Sequence, residues 1–324
     1  MTLTTHRRVM TPLAEKFSLA VNQDNSPDSH YSFTSCKERW NHTIVAGVKN
    51  ALTIDLEEYF QIHALSTCIS PDAWSGYPSH VEGNTSVLLD LLDQHEVKAT
   101  FFCLGWIGEK HERLIERIHL QGHEIACHGF AHQVIYQQDH SQFRMDVDRA
   151  KKVLEDACGC PVVGYRAPTY SIRKDTLWAL DVLEQVGFSY DSSIFPIFHD
   201  NYGIPDAPRF PHRLPGLHLV EFPLTTVKLG PFNLPVSGGG YFRLLPYVLT
   251  KHGLRSFASS NGPFIFYIHP WEINPDTPRV ENMDIVSYFR TYVGIRGALA
   301  KLDRLLTDFE FAPARDVLKS LDLL

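Results

Sequence analysis

Short apolar runs and longer amphipathic stretches alternate along most of the chain. The apolar runs predict buried strands, which we place at residues 51–60, 98–104, 124–127, 162–166, 188–191, 219–222 and 263–269. Between them, apolar residues with a helical period predict helices at residues 84–92, with Asn84 as N-cap, and at 107–120, 143–157, 176–186 and 284–306. Strands and helices that alternate with short connections form parallel sheets covered by helices. We therefore predict a single α/β domain shaped like a barrel.

Two segments depart from this alternation. Residues 1–48 are polar and lack a sustained period, which predicts a partly disordered extension before a domain of residues 49–324 that ends in helices. Residues 195–240 are rich in proline and glycine and form a long irregular segment. Such a segment inside a compact domain is often a binding loop, which we predict here. The glycines at 238–240 lack the spacing of a phosphate-binding loop, so we interpret them, together with Tyr241, as a close approach to a sugar chain.

Composition and charge indicate which partners the protein can bind and in which cellular compartment we expect it. The formal net charge is −7 and no run of Lys or Arg provides a basic face, which argues against nucleic acid as a partner. The six cysteines are scattered, several of them inside apolar runs, as expected in a reducing compartment. Glu15 and Lys16 interrupt the N-terminal apolar residues, and no stretch is long enough to span a bilayer. We therefore expect a cytoplasmic protein without a signal peptide.

Two pairs of polar residues carry candidate chemistry. Asp55 and Glu57 lie two apart on the first strand, so they share one of its faces, unless they are exposed loop acids. His128 and His132 follow another strand with four-residue spacing, which on one helical turn directs both imidazoles to the same side. Such a pair, with a carboxylate as third ligand, is a metal-binding set.

Arg166 and His269 end two further apolar runs. Because the carboxyl ends of parallel strands meet at the same edge of a sheet, we expect both side chains near the acids and the histidine pair. The sequence therefore predicts one site at this edge.

The order of these segments and the residues in them resemble the polysaccharide deacetylase family of metal-dependent carbohydrate esterases, the NodB-homology domain. The motifs that carry the resemblance are Thr53-Ile54-Asp55-Leu56-Glu57, His128-Gly129-Phe130-Ala131-His132, Arg166-Ala167-Pro168-Thr169-Tyr170, Tyr190-Asp191-Ser192-Ser193 and Tyr267-Ile268-His269-Pro270. Two further segments resemble those of a bacterial branch of this family associated with exopolysaccharide biosynthesis. They are Gly239-Gly240-Tyr241-Phe242-Arg243 and His269-Pro270-Trp271-Glu272.

The resemblance implies a deformed (β/α) barrel and a hydrolase that removes N-acetyl groups from a saccharide in exopolysaccharide or cell-surface glycan synthesis. It implies a divalent metal ion, with zinc expected, held by Glu57, His128 and His132. We hypothesise a catalytic set made of the general base Asp55, its partner Arg166, the general acid His269, and Asp191 to orient that imidazole. Contacts to the oxyanion or the sugar are expected from the backbone near Tyr170 and from the aromatic rings of Tyr241 and Trp271.

The chain departs from the family pattern at two positions. The usual adjacent Asp-Asp pair is replaced by Asp55-Leu56-Glu57-Glu58, so the metal carboxylate is Glu57 or Glu58. The strand face shared with Asp55 favours Glu57. The Ser or Thr that usually follows the first histidine is Gly129, which removes a hydroxyl hydrogen bond beside the metal ligand.

Three other functions stay open at this point. An allantoinase-like hydrolase would share the barrel and open a small cyclic amide. An iron oxygenase would use the same two histidines and carboxylate, although the alternation of strands and helices disfavours it. A saccharide-binding protein of the same fold would have no use for both a base and an acid. The expected partner is an N-acetylated saccharide of unspecified length, with peripheral attachment to a membrane polysaccharide-synthesis complex as a further hypothesis.

Overall fold

The computed structural model describes residues 47–324, except residue 282 and the side chains of residues 260 and 261. The extension predicted for residues 1–48 therefore lies, apart from its last two residues, outside the described part of the chain. The strands are β1 (Asn50–Leu56), β2 (Thr100–Cys103), β3 (Glu124–Cys127), β4 (Gly164–Tyr165), β5 (Tyr190–Asp191), β6 (His212–Arg213), β7 (Val220–Glu221), β8 (Thr226–Leu229), β9 (Phe232–Pro235), β10 (Ile265–Ile268) and β11 (Phe311–Ala312). The helices are α1 (Val81–Gln94), α2 (Gly105–Lys110), α3 (Glu112–Leu120), α4 (His140–Cys158), α5 (Trp178–Val186), α6 (Gly239–Leu244), α7 (Tyr247–Asn261), α8 (Ile285–Tyr292), α9 (Ala298–Asp308) and α10 (Ala314–Ser320).

One curved sheet organises the molecule. Its strand order is β10, β1, β2, β3, β4, β5, β7, β6, with β11 beside β1, and every pair is parallel except β6 with β7. Between β7 and β10 irregular chain completes the ring. Thr225 Oγ1 accepts from the amide of Ile265 and donates to its carbonyl, both at 2.9 Å, and the Tyr267 amide donates to Ser237 O at 2.7 Å. The predicted α/β barrel is confirmed, and its deformation arises because single hydrogen bonds replace a strand ladder here.

The two-residue period of β1 decides which side chains face the inside of the barrel. Leu52, Ile54 and Leu56 pack outward against the helices in the larger apolar core. Thr53 and Asp55 alternate with them and are buried on the inner face. The strand therefore carries Asp55 to the carboxyl edge of the barrel, as the sequence pattern predicted.

Several predicted helix boundaries were wrong. Asn84 lies inside α1, whose N-cap is His80. The helix predicted for residues 107–120 is divided into α2 and α3 at His111, which has φ −132° and ψ 46°. The long C-terminal helix is divided into α8 and α9 near Gly294, where φ is 70° and an added Cβ would lie 2.3 Å from Arg243 O. The helix is interrupted there because the backbone at Gly294 passes close to the end of α6.

Two features of the loop region were not predicted from sequence. β8 and β9 pair as an antiparallel hairpin, and α7 follows α6 where no helix was expected. Among the described residues, no helix combines the length and the hydropathy that crossing a bilayer requires.

Candidate active site

Asp55 and Arg166 form a buried ion pair at the carboxyl end of the sheet. Arg166 Nη1 lies 2.6 Å from Asp55 Oδ1 and donates to Thr53 Oγ1 at 2.8 Å. Its Nε and Nη2 donate to the carbonyl and hydroxyl of Ser192 at 3.1 and 3.0 Å. Burial alone would lower the pKa of Arg166, but the charge of Asp55 outweighs it and raises the pKa. The guanidinium is fixed by these bonds and leaves Asp55 Oδ2 directed at the pocket.

Glu57, His128 and His132 come together as a metal-binding set, with one ligand atom from each within 4.8 Å of the others. His128 Nδ1 lies 2.8 Å from Arg166 O. A carbonyl only accepts, so Nδ1 carries the proton and Nε2 is left with a free lone pair. Burial lowers the pKa of His128 to about 4, which keeps this imidazole neutral. Two imidazoles and a carboxylate are the donors that zinc takes in catalytic sites.

The hydrogen bonding of Glu57 fits a cation at this place. Its Oε1 accepts from the indole N–H of Trp271 at 3.1 Å. Its Oε2 lies 2.9 Å from His132 Nε2, yet it is buried and accepts no hydrogen bond of good geometry from the described residues. Burial would raise the pKa of Glu57, but attraction to the His132 and His269 imidazoles lowers it to about 2. An ionised carboxylate oxygen without a donor, facing imidazole nitrogens, is what a metal ligand requires.

Glu58 has a different environment. Its carboxylate accepts from the Ser79 hydroxyl at 2.5 Å and from the amides of His80 and Val81 at 2.9 and 3.0 Å. Those amides belong to the start of α1, where an anion is stabilised by the free N–H groups. Of the two acids that the sequence left open, the geometry therefore favours Glu57.

The two histidines are joined by a turn and not by the helical turn that their spacing suggested. Gly129 has φ +74° and His132 has φ +52°, both in the left-handed region. Asp146 of α4 holds this turn, because its Oδ2 accepts from the Phe130 amide at 3.0 Å. An added Cβ on Gly129 would lie 3.0 Å from the same oxygen. The Asp146 carboxylate thus fixes the turn from α4.

His269 lies beside both acids. Its Nε2 is 3.7 Å from Asp55 Oδ2 and 3.6 Å from Glu57 Oε1. Its Nδ1 is 2.9 Å from Glu272 Oε2, and Glu272 Oε1 is 2.6 Å from Nε of the buried Arg243. Burial would lower the pKa of His269, but the charges of Glu272 and Glu57 raise it to about 9. The imidazole is therefore protonated at neutral pH.

Glu272 takes the place that was predicted for Asp191, and that prediction was wrong. The Ser193 hydroxyl donates to Asp191 Oδ1 at 2.5 Å and accepts from the Ala167 amide at 2.8 Å. Burial raises the pKa of Asp191 despite hydrogen bonds from Ser193 and Glu221. Asp191 thus supports the backbone beside Arg166, while the turn after β10 brings Glu272 back onto His269. The signal in the sequence was the spacing of Glu272, three residues after His269.

The expected substrate contacts are placed differently from their predictions. The Tyr170 amide donates to Ala167 O at 3.0 Å, so it is not available to an oxyanion, and its hydroxyl lies 3.4 Å from Asp55 Oδ2. The neighbouring Thr169, at φ 56°, lines the pocket. Trp271 is buried and holds Glu57, so it is not an exposed platform for a sugar. Tyr241 is half-buried in α6 and does not line the pocket, although its neighbour Gly240 does.

The candidate site lies in a cavity of about 230 Å³ that opens to the surface. Asp55, Glu57, both histidines of the pair and His269 line it together. A larger cavity of about 790 Å³ lies at the opposite, amino ends of β3 and β5. The smaller cavity is therefore the one in which the candidate metal ligands meet Asp55 and His269.

The chain is similar to known proteins over two adjacent segments. Residues 72–190 match the family model described as polysaccharide deacetylase. The chain contains a polysaccharide deacetylase domain. Residues 192–319 match a domain of unknown function, DUF3473. The curved sheet runs through both segments, and Arg243, His269 and Glu272 come from the second.

Two of the similar curated proteins come from bacteria. A peptidoglycan-N-acetylglucosamine deacetylase of Bacillus cereus is 28% identical over 147 residues, which is 42% of this chain and 53% of that protein. A chitooligosaccharide deacetylase of Rhizobium leguminosarum bv. trifolii is 30% identical over 101 residues, covering 31% and 44%. The chain thus spans about half, or less, of the length of the curated relatives it matches.

A crystal structure from Mycobacterium smegmatis, assigned as a polysaccharide deacetylase, superposes with a TM-score of 0.57 at 18% identity. The alignment covers 86% of this chain and 92% of that one. The likeness in fold therefore extends over most of the chain.

Proposed function

We propose that this chain is a metal-dependent hydrolase that removes N-acetyl groups from an N-acetylated saccharide. The observation that carries the proposal is the meeting of Glu57, His128 and His132 in one cavity with Asp55 and His269 beside them. When bound there, a divalent cation supplies Lewis acidity towards a water molecule and the amide carbonyl. Zinc is our first choice because the donors are two imidazoles and a carboxylate.

The protein's own groups divide the proton transfers. Asp55 Oδ2 takes a proton from the attacking water, while Arg166 holds the other carboxylate oxygen and keeps the base ionised. Water oxygen bonds to the acyl carbon, and the C–N bond then breaks. His269 gives its proton to the leaving nitrogen, because a neutral amine leaves far more readily than an amide anion. The products are acetate and the free amino sugar.

We assign the backbone donor for the oxyanion to Thr169. The amide of Tyr170 is already bonded to a carbonyl, and Thr169 lines the cavity in a left-handed conformation. Such strained residues persist at sites where the backbone has to present a group to a ligand. A fixed amide of this kind contributes about 3 kcal/mol to stabilisation of the transition state.

We further propose that the saccharide belongs to exopolysaccharide synthesis. This proposal rests on the sequence segments around Arg243 and Glu272, which belong to the part of the chain matched by DUF3473. Cytoplasmic location and attachment to a membrane synthesis complex stay predictions from sequence alone.

Acetate release tests the proposed function. Wild-type protein, loaded with zinc, should release acetate from N-acetylated chitooligosaccharides and should not open the ring of allantoin. His128→Ala should lose both the bound ion and acetate release. His269→Ala should keep the ion and lose about 10²- to 10⁴-fold in kcat, the contribution of a general acid. His111→Ala, at a histidine paired with Glu82 on the surface, is the control and should change neither.

Each rival has its own result in the same assays. Allantoin opening without acetate release would favour the cyclic-amide hydrolase. Saccharide binding without turnover under several divalent ions would favour a binding protein. Turnover that requires oxygen would favour the iron oxygenase.

A further inference from the structure

Arg290 of α8 lies at the rim of the catalytic cavity. It lines the cavity beside Gly240 of α6, and its side chain is exposed. Its backbone carbonyl accepts from Nη2 of the buried Arg243 at 2.9 Å, and Arg243 is in turn paired with Glu272. The last turn of α8 is therefore tied to the same buried charges that hold His269.

Among the residues that the structure describes, none forms an ion pair with the Arg290 side chain. The carboxylates that line the cavity are each engaged: Asp55 with Arg166 at 2.6 Å, Glu272 with Arg243 at 2.6 Å, and Glu57 with His132 at 2.9 Å. Across the described part of the chain, no carboxylate lies within 4.0 Å of the Arg290 guanidinium. A cation at the mouth of a concave site, without an internal partner, attracts anions into that site.

An aromatic stack stands beside Arg290 at the same rim. His199 lies flat on Tyr202, with ring centroids 3.8 Å apart and an angle of 11° between the planes. Tyr202 lines the cavity and continues the stack onto Phe195. Tyr202 and Arg290 line the same cavity, and burial and the charge of Arg290 lower the pKa of His199 against the opposing charge of Asp200. Because Tyr202 stacks with both His199 and Phe195, it offers the cavity the edge of its ring, which is positive. A positive ring edge beside a planar cation suits a sugar that carries a carboxylate or phosphate.

We propose that Arg290 and Tyr202 form a subsite that holds an anionic group of the saccharide next to the N-acetylated sugar. The substrate class is therefore an acidic saccharide, with the anion supplied by a uronate carboxylate or by a phosphate on the sugar. This inference rests on the proposed function, because it names the substrate of the same site. Arg290 acts as a specificity residue and takes no part in bond breaking.

The experiment compares anionic and neutral saccharides with wild-type and variant proteins. A tetrasaccharide of alternating glucuronate and N-acetylglucosamine presents a carboxylate, UDP-N-acetylglucosamine presents phosphates, and N-acetylated chitotetraose is neutral. Arg290→Ala should raise KM for the preferred anionic substrate by about 10- to 100-fold, the effect of losing a charged hydrogen bond. Its kcat should not change, and neither should KM for chitotetraose. Arg290→Lys should recover part of the loss.

The control is Arg296→Ala, which removes another exposed arginine that does not line the cavity. It should leave all three substrates unaffected. A loss limited to the glucuronate tetrasaccharide identifies a carboxylate as the ligand, and one limited to the nucleotide sugar identifies a phosphate. Equal losses in Arg290→Ala for neutral and anionic saccharides, or equal effects of Arg296→Ala, would overturn the subsite.

Binding separates this inference from the proposed function. Calorimetry on the same proteins should show tighter binding of an anionic saccharide than of chitotetraose, and the difference should shrink in Arg290→Ala and at high salt. If no saccharide releases acetate but this pattern of binding holds, the subsite stands and the hydrolase does not. If acetate is released and Arg290→Ala binds the anions as wild type does, the hydrolase stands and the subsite does not.

Discussion

His269 owes its position to a short chain of buried charges that runs from Arg243 through Glu272. Sequence reasoning found His269 because an apolar strand leads to it, but it chose Asp191 as the partner. The fold decides otherwise: a short turn after β10 folds Glu272 back onto Nδ1. Pairings set by a turn of this kind are not visible in strand periodicity. The pairing of Asp55 with Arg166, in contrast, was predictable, since Asp55 lies near the carboxyl end of β1 and Arg166 directly follows β4, and both strands are parallel members of one sheet.

Replacing Glu272 tests its role as a positioning residue. Glu272→Gln removes the charge that faces His269 and should lower kcat by at least about tenfold, and at most by the 10²- to 10⁴-fold that a general acid contributes. KM and the bound ion should stay near wild type, because Glu272 is not a ligand. Glu281→Gln, at an exposed acid, serves as the control. A loss of the ion in Glu272→Gln, with kcat per loaded site unchanged, would contradict the positioning role.

His123 predicts how stability depends on pH. Its Nδ1 accepts from the Ala99 amide at 3.1 Å, and burial, with a smaller effect of Lys98, lowers its pKa from 6.5 to about 4. A depressed pKa gives stability that is present above pH 6.5 and is lost as the pH falls through about 4. The shift corresponds to about 3 kcal/mol in the free energy of unfolding.

Urea denaturation at pH 7 and at pH 4 measures this effect. His123→Gln keeps an acceptor for Ala99 but cannot be protonated, so the variant should lose less stability than wild type between the two pH values. His218→Gln, at an exposed histidine, should follow wild type. Parallel curves for wild type and His123→Gln would show that His123 does not titrate in this way.

At the scale of elements, the turn from His128 to His132 shows why spacing alone misleads. Four-residue spacing suggested a helix, but two left-handed residues and the Asp146 carboxylate build a tight turn that still brings both imidazoles to one place. α7 was missed because it lies next to proline- and glycine-rich chain, although Leu254 and Phe257 are buried on one of its faces. The local pattern of apolar residues identifies a helix or strand reliably only where contacts with neighbouring parts of the chain do not impose another conformation.

Asp146 should influence the metal site through this turn. Asp146→Ala frees the Phe130 amide and loosens the turn that places His132. We expect metal affinity to fall by about 10- to 100-fold, as for other groups that orient ligands. Asp148→Ala, also on α4 but exposed, is the matched control. Equal ion affinity in Asp146→Ala and wild type, measured by competition with a chelator, would show that the turn holds its shape without the carboxylate.

Gly238 fixes the irregular chain against β10. An added Cβ would lie 1.9 Å from Tyr267 O, and φ there is +139°. Gly238→Ala should therefore reduce the free energy of unfolding by about 2 kcal/mol or more. Gly240→Ala, whose nearest contact is an ordinary 3.6 Å, should change it by less than about 0.5 kcal/mol. Similar losses in both variants, measured by thermal denaturation, would count against this close approach as the reason for the glycine.

At the scale of the whole molecule, alternation of strands and helices was sufficient to predict the barrel and the edge at which the site forms. It was not sufficient to predict how the ring closes, because Thr225 and Ser237 do so with isolated hydrogen bonds that leave no periodic signal. The sheet also joins the two segments matched by separate family models. The acids and the metal-binding pair lie in or before the first, whereas His269, Glu272 and Arg290 lie in the second. The proposed chemistry therefore needs both.

The most direct measurement is the number of divalent ions bound per chain in wild type, Glu57→Gln and Glu58→Gln. We expect one ion per wild-type chain, the same in Glu58→Gln, and a loss of affinity in Glu57→Gln greater than the roughly 10- to 100-fold that follows loss of an outer hydrogen-bond partner. A wild-type chain that binds no ion, or a Glu57→Gln variant that retains it while Glu58→Gln loses it, would contradict the metal centre described above.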